Sequence, residues 1–138
     1  MDRYEELPHT ADIAIKVQGK DLGELFSNAA FGMFDIIADL DGLKTDISVD
    51  LNLKAASPEE LLVSWLDELL YNFYTKSIIF KEFDIIDIAP SGLKARAIGR
   101  HIGAKKSRLK TEIKAVTYHN LNVIEKNGKF SVEIVFDV

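Results

Sequence analysis

Ile13, Ile15 and Val17 alternate with Ala14, Lys16 and Gln18, a period of two that describes a strand with one buried face. Gly19 and Lys20 end it. Asp21 then opens a capping-box pattern with Glu24, and Leu22, Leu25, Phe26, Ala29, Ala30, Met33, Phe34 and Ile37 recur at helical spacing. Asp41-Gly42 is the expected stop, after which Ile47, Val49, Leu51 and Leu53 alternate as a second strand. Ser57-Pro58-Glu59-Glu60 supplies a cap, a proline at the first helical position and acids in the first turn. Leu61, Leu62, Trp65, Leu66, Leu69, Leu70 and Phe73 form the apolar stripe of the helix that follows.

From Ser77 to Ala89, β-branched and aromatic residues with shifting alternation predict a long strand that bends or bulges, closed by the Pro90-Ser91-Gly92 turn. Leu93, Ala95, Ala97 and Gly99 alternate with Lys94, Arg96, Ile98 and Arg100 as a further strand, and a basic loop comes next. Thr111–Tyr118, Leu121–Glu125 and Lys129–Asp137 read as three final strands, the last two joined at Asn127-Gly128 by a primed turn. Two helices are too few for a doubly wound parallel sheet. The expected fold is therefore α+β, a single-domain two-layer sandwich over 1–138, with two main helices packed on a mixed, mostly antiparallel sheet. The two strand–helix–strand units have the look of a weak internal repeat.

Composition agrees with one domain and narrows its partners. With 138 residues and 47% hydrophobic content, the chain can bury roughly two-thirds of its unfolded surface in one core. A formal net charge of −5 opposes counterion-releasing grip on a phosphate backbone, so no tight direct nucleic-acid binding is expected. Arg96, Arg100, Lys105, Lys106, Arg108, Lys110 and Lys114 are the local exception; they read either as a solvated loop or as a contact to RNA or an acidic protein surface. The absence of cysteine excludes disulfides, thiolate metal sites and thiol nucleophiles. The sequence shows neither a secretory leader nor an apolar run of about 20 residues, so a cytoplasmic protein without membrane association is expected.

Four groupings could carry chemistry. His9-Thr10-Ala11-Asp12 stands directly ahead of the first strand, where polar side chains either converge on a ligand or satisfy local backbone donors. Asp137-Val138 places an acid beside the chain's last carboxyl group, a set of hard oxygens suited to a calcium-like cation that takes six to eight such ligands. A frayed tail is the alternative, although the apolar alternation runs to the end of the strand. Glu112 to Asn120 bunches Tyr118 and His119 where a strand meets a turn, either to contact a partner or as packing and exposed turn residues. Asp35, Asp39 and Asp41 fail the EF-hand spacing, with Ile37 and Ser48 at ligand positions, and read as acids solvating a helix end. No Gly-rich phosphate loop, paired histidines at i and i+4, or nucleophile elbow is present.

His9-Thr10-Ala11-Asp12-Ile13, Glu112 through His119 and the terminal Phe136-Asp137-Val138, together with the Leu-Leu pattern that ends at Leu70, closely resemble the archease family along the whole chain. The resemblance implies a non-enzymatic activator of a tRNA-splicing RNA ligase of the 3′-phosphate/5′-hydroxyl type, promoting its guanylylation and repeated turnover. It also implies a metal site, calcium-like, formed by Asp12, Asp137 and Val138, with His9, Tyr118 and His119 as partner-contact candidates. Two positions depart from the family pattern: Arg100 follows Gly99 where Gly-Glu is common, and Ser107 stands where a histidine is common. Those departures bear on partner contact and leave the metal residues untouched. A chaperone or general interaction module with a structural metal is the alternative. A metal-dependent enzyme built on Asp12, Asp137 and His119 is the third reading, and it lacks a nucleophile or phosphate loop.

Overall fold

The computed structural model describes residues 3–8, 11–103 and 107–138. Its elements run β1 (Tyr4–Leu7), β2 (Ile13–Gly19), α1 (Leu22–Ile37), β3 (Ile47–Lys54), α2 (Pro58–Lys76), β4 (Ile78–Ala89), β5 (Gly92–His101), β6 (Ala115–Val116), β7 (Ile124–Lys126) and β8 (Lys129–Asp137). The α+β class is as expected, two helices packed on antiparallel strands. The strands divide between two sheets, and every pairing among the described residues is antiparallel.

Both helices start where local chemistry says they should. The Asp21 carboxylate accepts the Glu24 amide at 2.8 Å while Glu24 accepts the Lys20 amide at 3.1 Å. Ser57 and Glu60 repeat the exchange, with the Ser57 hydroxyl accepting from the Glu60 amide and Glu60 accepting from Ala56. Each reciprocal pair satisfies donors that a helix start leaves without partners. The end of α1 comes earlier than Asp41-Gly42. Ala38 caps the helix through its amide on the Phe34 carbonyl and then bridges Leu109, so tertiary pairing stops the helix before the glycine.

Helix α1 is buried on most of its circumference and contacts strands of both sheets. An all-round apolar helix belongs inside a core. Trp65 of α2 reaches it, donating its indole N–H to the Phe26 carbonyl at 3.0 Å, and the Phe34 ring meets Phe80 edge-on at 5.5 Å between centroids. A single apolar cluster therefore joins both helices to both sheets.

One sheet has the order β3-β5-β4, with the expected irregularity in β4 appearing as register shifts between Phe80 and Glu82 and between Ile85 and Asp87. In the other, β2 lies between β1 and β8, and β6 and β7 both pair with the far side of β8. Asn127 and Gly128, at φ 56° and 77°, make the predicted tight turn between β7 and β8.

Three strand expectations change. Tyr4–Leu7 pairs with β2 as a strand although its two central residues are exposed glutamates, because the ladder rather than side-chain preference holds it. Of Thr111–Tyr118 only Ala115–Val116 joins a ladder, since Ile113 turns its side chain into the core and its carbonyl to another partner. Leu121–Glu125 shrinks and shifts to Ile124–Lys126, the stretch that faces β8 beyond the turn. No helix among the described residues is long and apolar enough to cross a membrane.

Candidate metal centre

The end of β8 is held on both sides. Along one edge β2 pairs with it from Gly19 opposite Phe130 to Ile13 opposite Phe136. Asp12 and Asp137 are the residues next to this last pair, Asp12 in the bend that leads into β2 and Asp137 at the end of β8. Along the other edge Ala115 faces Asp137 and Val116 faces Phe136. The Asp137 carbonyl accepts the Lys114 amide at 2.7 Å, and the Val135 carbonyl accepts Thr117 at 3.0 Å. Phe136 is wholly buried, and Val138 is half-buried against the core. The tail is thus a laddered strand end rather than a frayed one.

Alternation does the rest. Phe136 faces the core, so Asp137 faces outward and is exposed, while Asp12 is half-buried at the mouth of β2. These residues offer oxygen alone, which fits a hard divalent cation. Among the described residues no three His, Cys, Asp or Glu side chains are grouped to hold an ion. Two carboxylates alone fall short of the six to eight oxygens that a calcium-like ion takes.

The other candidates fall elsewhere. His9 lies outside the described residues. Tyr118 and His119 sit in the turn where the chain leaves β6, past Val116 and therefore displaced along β8 from Asp137. Thr117 accepts the His119 amide at 3.2 Å, the His119 ring meets the Asn120 amide at 3.3 Å, and Tyr118 is 60% exposed. Pairing does not carry either of them to the carboxylate edge. Asp35 accepts the Tyr4 hydroxyl across from β1, a tertiary contact, and only Asp39, which accepts the Asp41 amide, has the local duty expected past a helix end.

Sequence reasoning missed Tyr74. Its hydroxyl donates to the Ile113 carbonyl at 2.6 Å, and the next residue, Lys114, holds Asp137. Although the ring is half-exposed, partial desolvation raises its proton affinity above that of an ordinary phenol, and the charge on Glu112 adds to the effect, so the hydroxyl remains a donor. Its only signal in the sequence is its place next to Phe73 at the end of the apolar stripe.

The model of the archease protein family matches residues 4–138. This chain belongs to the archease family. It is 38% identical to an archease of Methanosarcina barkeri over 99% of this chain and 96% of that one. With an archease of Sulfolobus acidocaldarius it shares 30% identity over the full length of both. The solution structure of protein 1598 from Methanobacterium thermoautotrophicum superposes with a TM-score of 0.83 at 29% identity, covering both chains completely. An archease from Thermotoga maritima, described as a possible chaperone, has a TM-score of 0.65 at 21% identity over 96% of this chain and 94% of its own, and shows the shared fold.

In this archease the Tyr74 hydroxyl should brace the strand that flanks Asp137. Tyr74→Phe removes one hydrogen bond, worth about 1 kcal/mol. The expected result is amide hydrogen exchange at Lys114 and Thr117 faster by about fivefold, with little change elsewhere. Unchanged exchange at both amides would show that the hydroxyl braces nothing.

Proposed function

We propose that this archease activates a tRNA-splicing RNA ligase of the 3′-phosphate/5′-hydroxyl type, promoting its guanylylation and multiple turnover, and that it acts in the cytoplasm without being an enzyme itself. In this reading Asp12, Asp137 and Val138 hold a divalent cation, calcium-like, on the edge presented to the ligase. The observation that carries the reading is the register that lays the end of β8 against the start of β2. Family membership supplies the prior, and the hard-oxygen donor set suits the cation.

When bound, such a cation would supply positive charge able to orient triphosphate oxygens or offset charge that develops during nucleotidyl transfer. The protein's own part is positional. The β2–β8 ladder runs up to Ile13 and Phe136, the neighbours of the two acids, and Lys114 fixes the backbone of Asp137. Half-buried Val138 anchors the tail in the core.

A second reading, a chaperone or interaction module in which the metal is structural, draws on the description of the Thermotoga protein and on three exposed tyrosines, Tyr71, Tyr74 and Tyr118. One experiment separates them. Purified ligase is given GTP and a broken RNA, with the full chain or its Asp12→Asn variant added, and the guanylylated fraction is measured. The full chain should raise that fraction, and Asp12→Asn should remove most of the gain. Activation that survives loss of cation binding favours the second reading. No stimulation by the unaltered chain overturns the first.

A further inference from the structure

One cleft of about 640 Å³ on this acidic protein is lined by cations and, among its described residues, by no acid. Three segments distant in sequence build it: Gly42 to Lys44 after α1, Arg100 and His101 at the end of β5, and Ser107 with Arg108. Lys44, Arg100 and Arg108 bring three positive side chains to one concavity, and the His101 ring and Ser107 hydroxyl stand beside them.

The cations are held but not spent. Arg108 donates to the carbonyl oxygens of Asp39 at 3.1 Å and Asp41 at 2.8 Å, bonds that orient the guanidinium without cancelling its charge. Arg100 donates to the Lys44 carbonyl at 3.4 Å, which links two walls of the cleft. Its ion pair with Asp46 is 3.7 Å long, with side chains 45% and 56% exposed, so water screens it. Lys81 adds a further positive charge behind the turn through its bond to the Leu43 carbonyl. Asp39, Asp41 and Asp46 are neighbours outside the lining, and the Asp39 carboxylate is already engaged by the Asp41 amide.

We propose that this cleft binds a phosphate-bearing ligand through a terminal phosphate or a short polyphosphate. A phosphomonoester carries about 1.5 to 2 negative charges near neutrality and offers three acceptor oxygens, a better match to two guanidinium forks and an ammonium than a single carboxylate. The volume suits a ligand of nucleotide size. The net charge of −5 limits attraction to a long polyanion, so recognition is confined to the end that enters the cleft. None of these residues belongs to the carboxylate edge, and the proposal stands without a cation there.

The test titrates the ¹⁵N-labelled full chain separately with sodium triphosphate, with a short uridine oligomer bearing a 5′-phosphate, and with the same oligomer ending in a 5′-hydroxyl. Saturable amide shifts should centre on Lys44, Arg100, His101, Ser107 and Arg108. Affinity for triphosphate or for the phosphorylated oligomer should fall at least about tenfold in the Lys44→Ala, Arg100→Ala double variant. It should stay unchanged when Lys94, near the start of β5, and Lys54, which faces Gly92 from β3, are replaced by alanine. Lys44→Ala alone, at an exposed turn residue, provides the same reading should the double variant lose its dispersed spectrum. Preference for the phosphorylated oligomer assigns the ligand to an RNA end, and tighter binding of triphosphate assigns it to a free polyphosphate. Absence of saturable shifts at the cleft overturns the proposal. So does equal affinity in the variants, or equal binding of both oligomers with none of triphosphate.

Discussion

Gly99→Ala is expected to destabilise the fold by about 3 kcal/mol or more, the largest effect of any single methyl group considered in this protein. Gly99 pairs with Phe80 on β4 and with Ile47 on β3, on the central strand of the three-stranded sheet near its end. A Cβ there would lie 2.1 Å from the Ile79 carbonyl oxygen and 2.8 Å from the Phe80 Cα. Both are backbone atoms of a paired strand, so no side chain can swing aside to make room. The strands must separate beside the register shift between Phe80 and Glu82, where Phe80 also packs against Phe34. Urea unfolding should show a midpoint lower by more than about 1 M. A loss under about 1 kcal/mol would mean that the bulge lets the β4 backbone retreat at little cost.

Calcium is expected to stabilise the folded chain by about 2.7 kcal/mol when present at a hundredfold excess over its dissociation constant. The proposed ligands come from segments far apart in sequence. Holding them on one ion would tie the start of β2 to the end of β8, which β6 also pairs. Unfolding separates the carboxylates, so the ion binds the native state in preference. The thermal midpoint should rise by several degrees, and Asp137→Asn at the same calcium concentration should cut the rise to about half or less. A midpoint indifferent to calcium in the unaltered chain would remove the cation from the account.

Local chemistry was the most legible part of the chain. The two capping boxes, the proline at the start of α2 and the Asn127-Gly128 turn each act over a few residues, and each appears where its residues stand. The alternation of β8 through Phe136 also foretold a tail that does not fray. What stayed hidden depends on contacts between distant segments. Exposed Glu5 and Glu6 conceal β1, because its strand character comes from pairing with β2. Thr111 to Lys114 carries strand-like residues, yet Tyr74 and the core divert Ile113 before the ladder begins. The division into two sheets has no local signature.

The same division holds for the candidate sites. Asp137 could be named as a hard-oxygen donor from its surroundings and Asp12 only through the family resemblance, whereas the register that lays the end of β8 beside the start of β2 is set by the whole length of both strands. Tyr118 and His119 lay near the right strand in sequence, and the direction of β6 carries them away from the edge. Lys44 gave no signal, since only the fold brings the turn after α1 to the end of β5.

The most direct test of the carboxylate edge is a calorimetric titration of the full chain with calcium, alongside Asp12→Asn and Asp137→Asn. The account predicts one saturable site in the unaltered chain, with affinity reduced at least about tenfold by either substitution because each removes a charged oxygen donor. Binding that persists undiminished in both variants, or none in the unaltered chain, would contradict it.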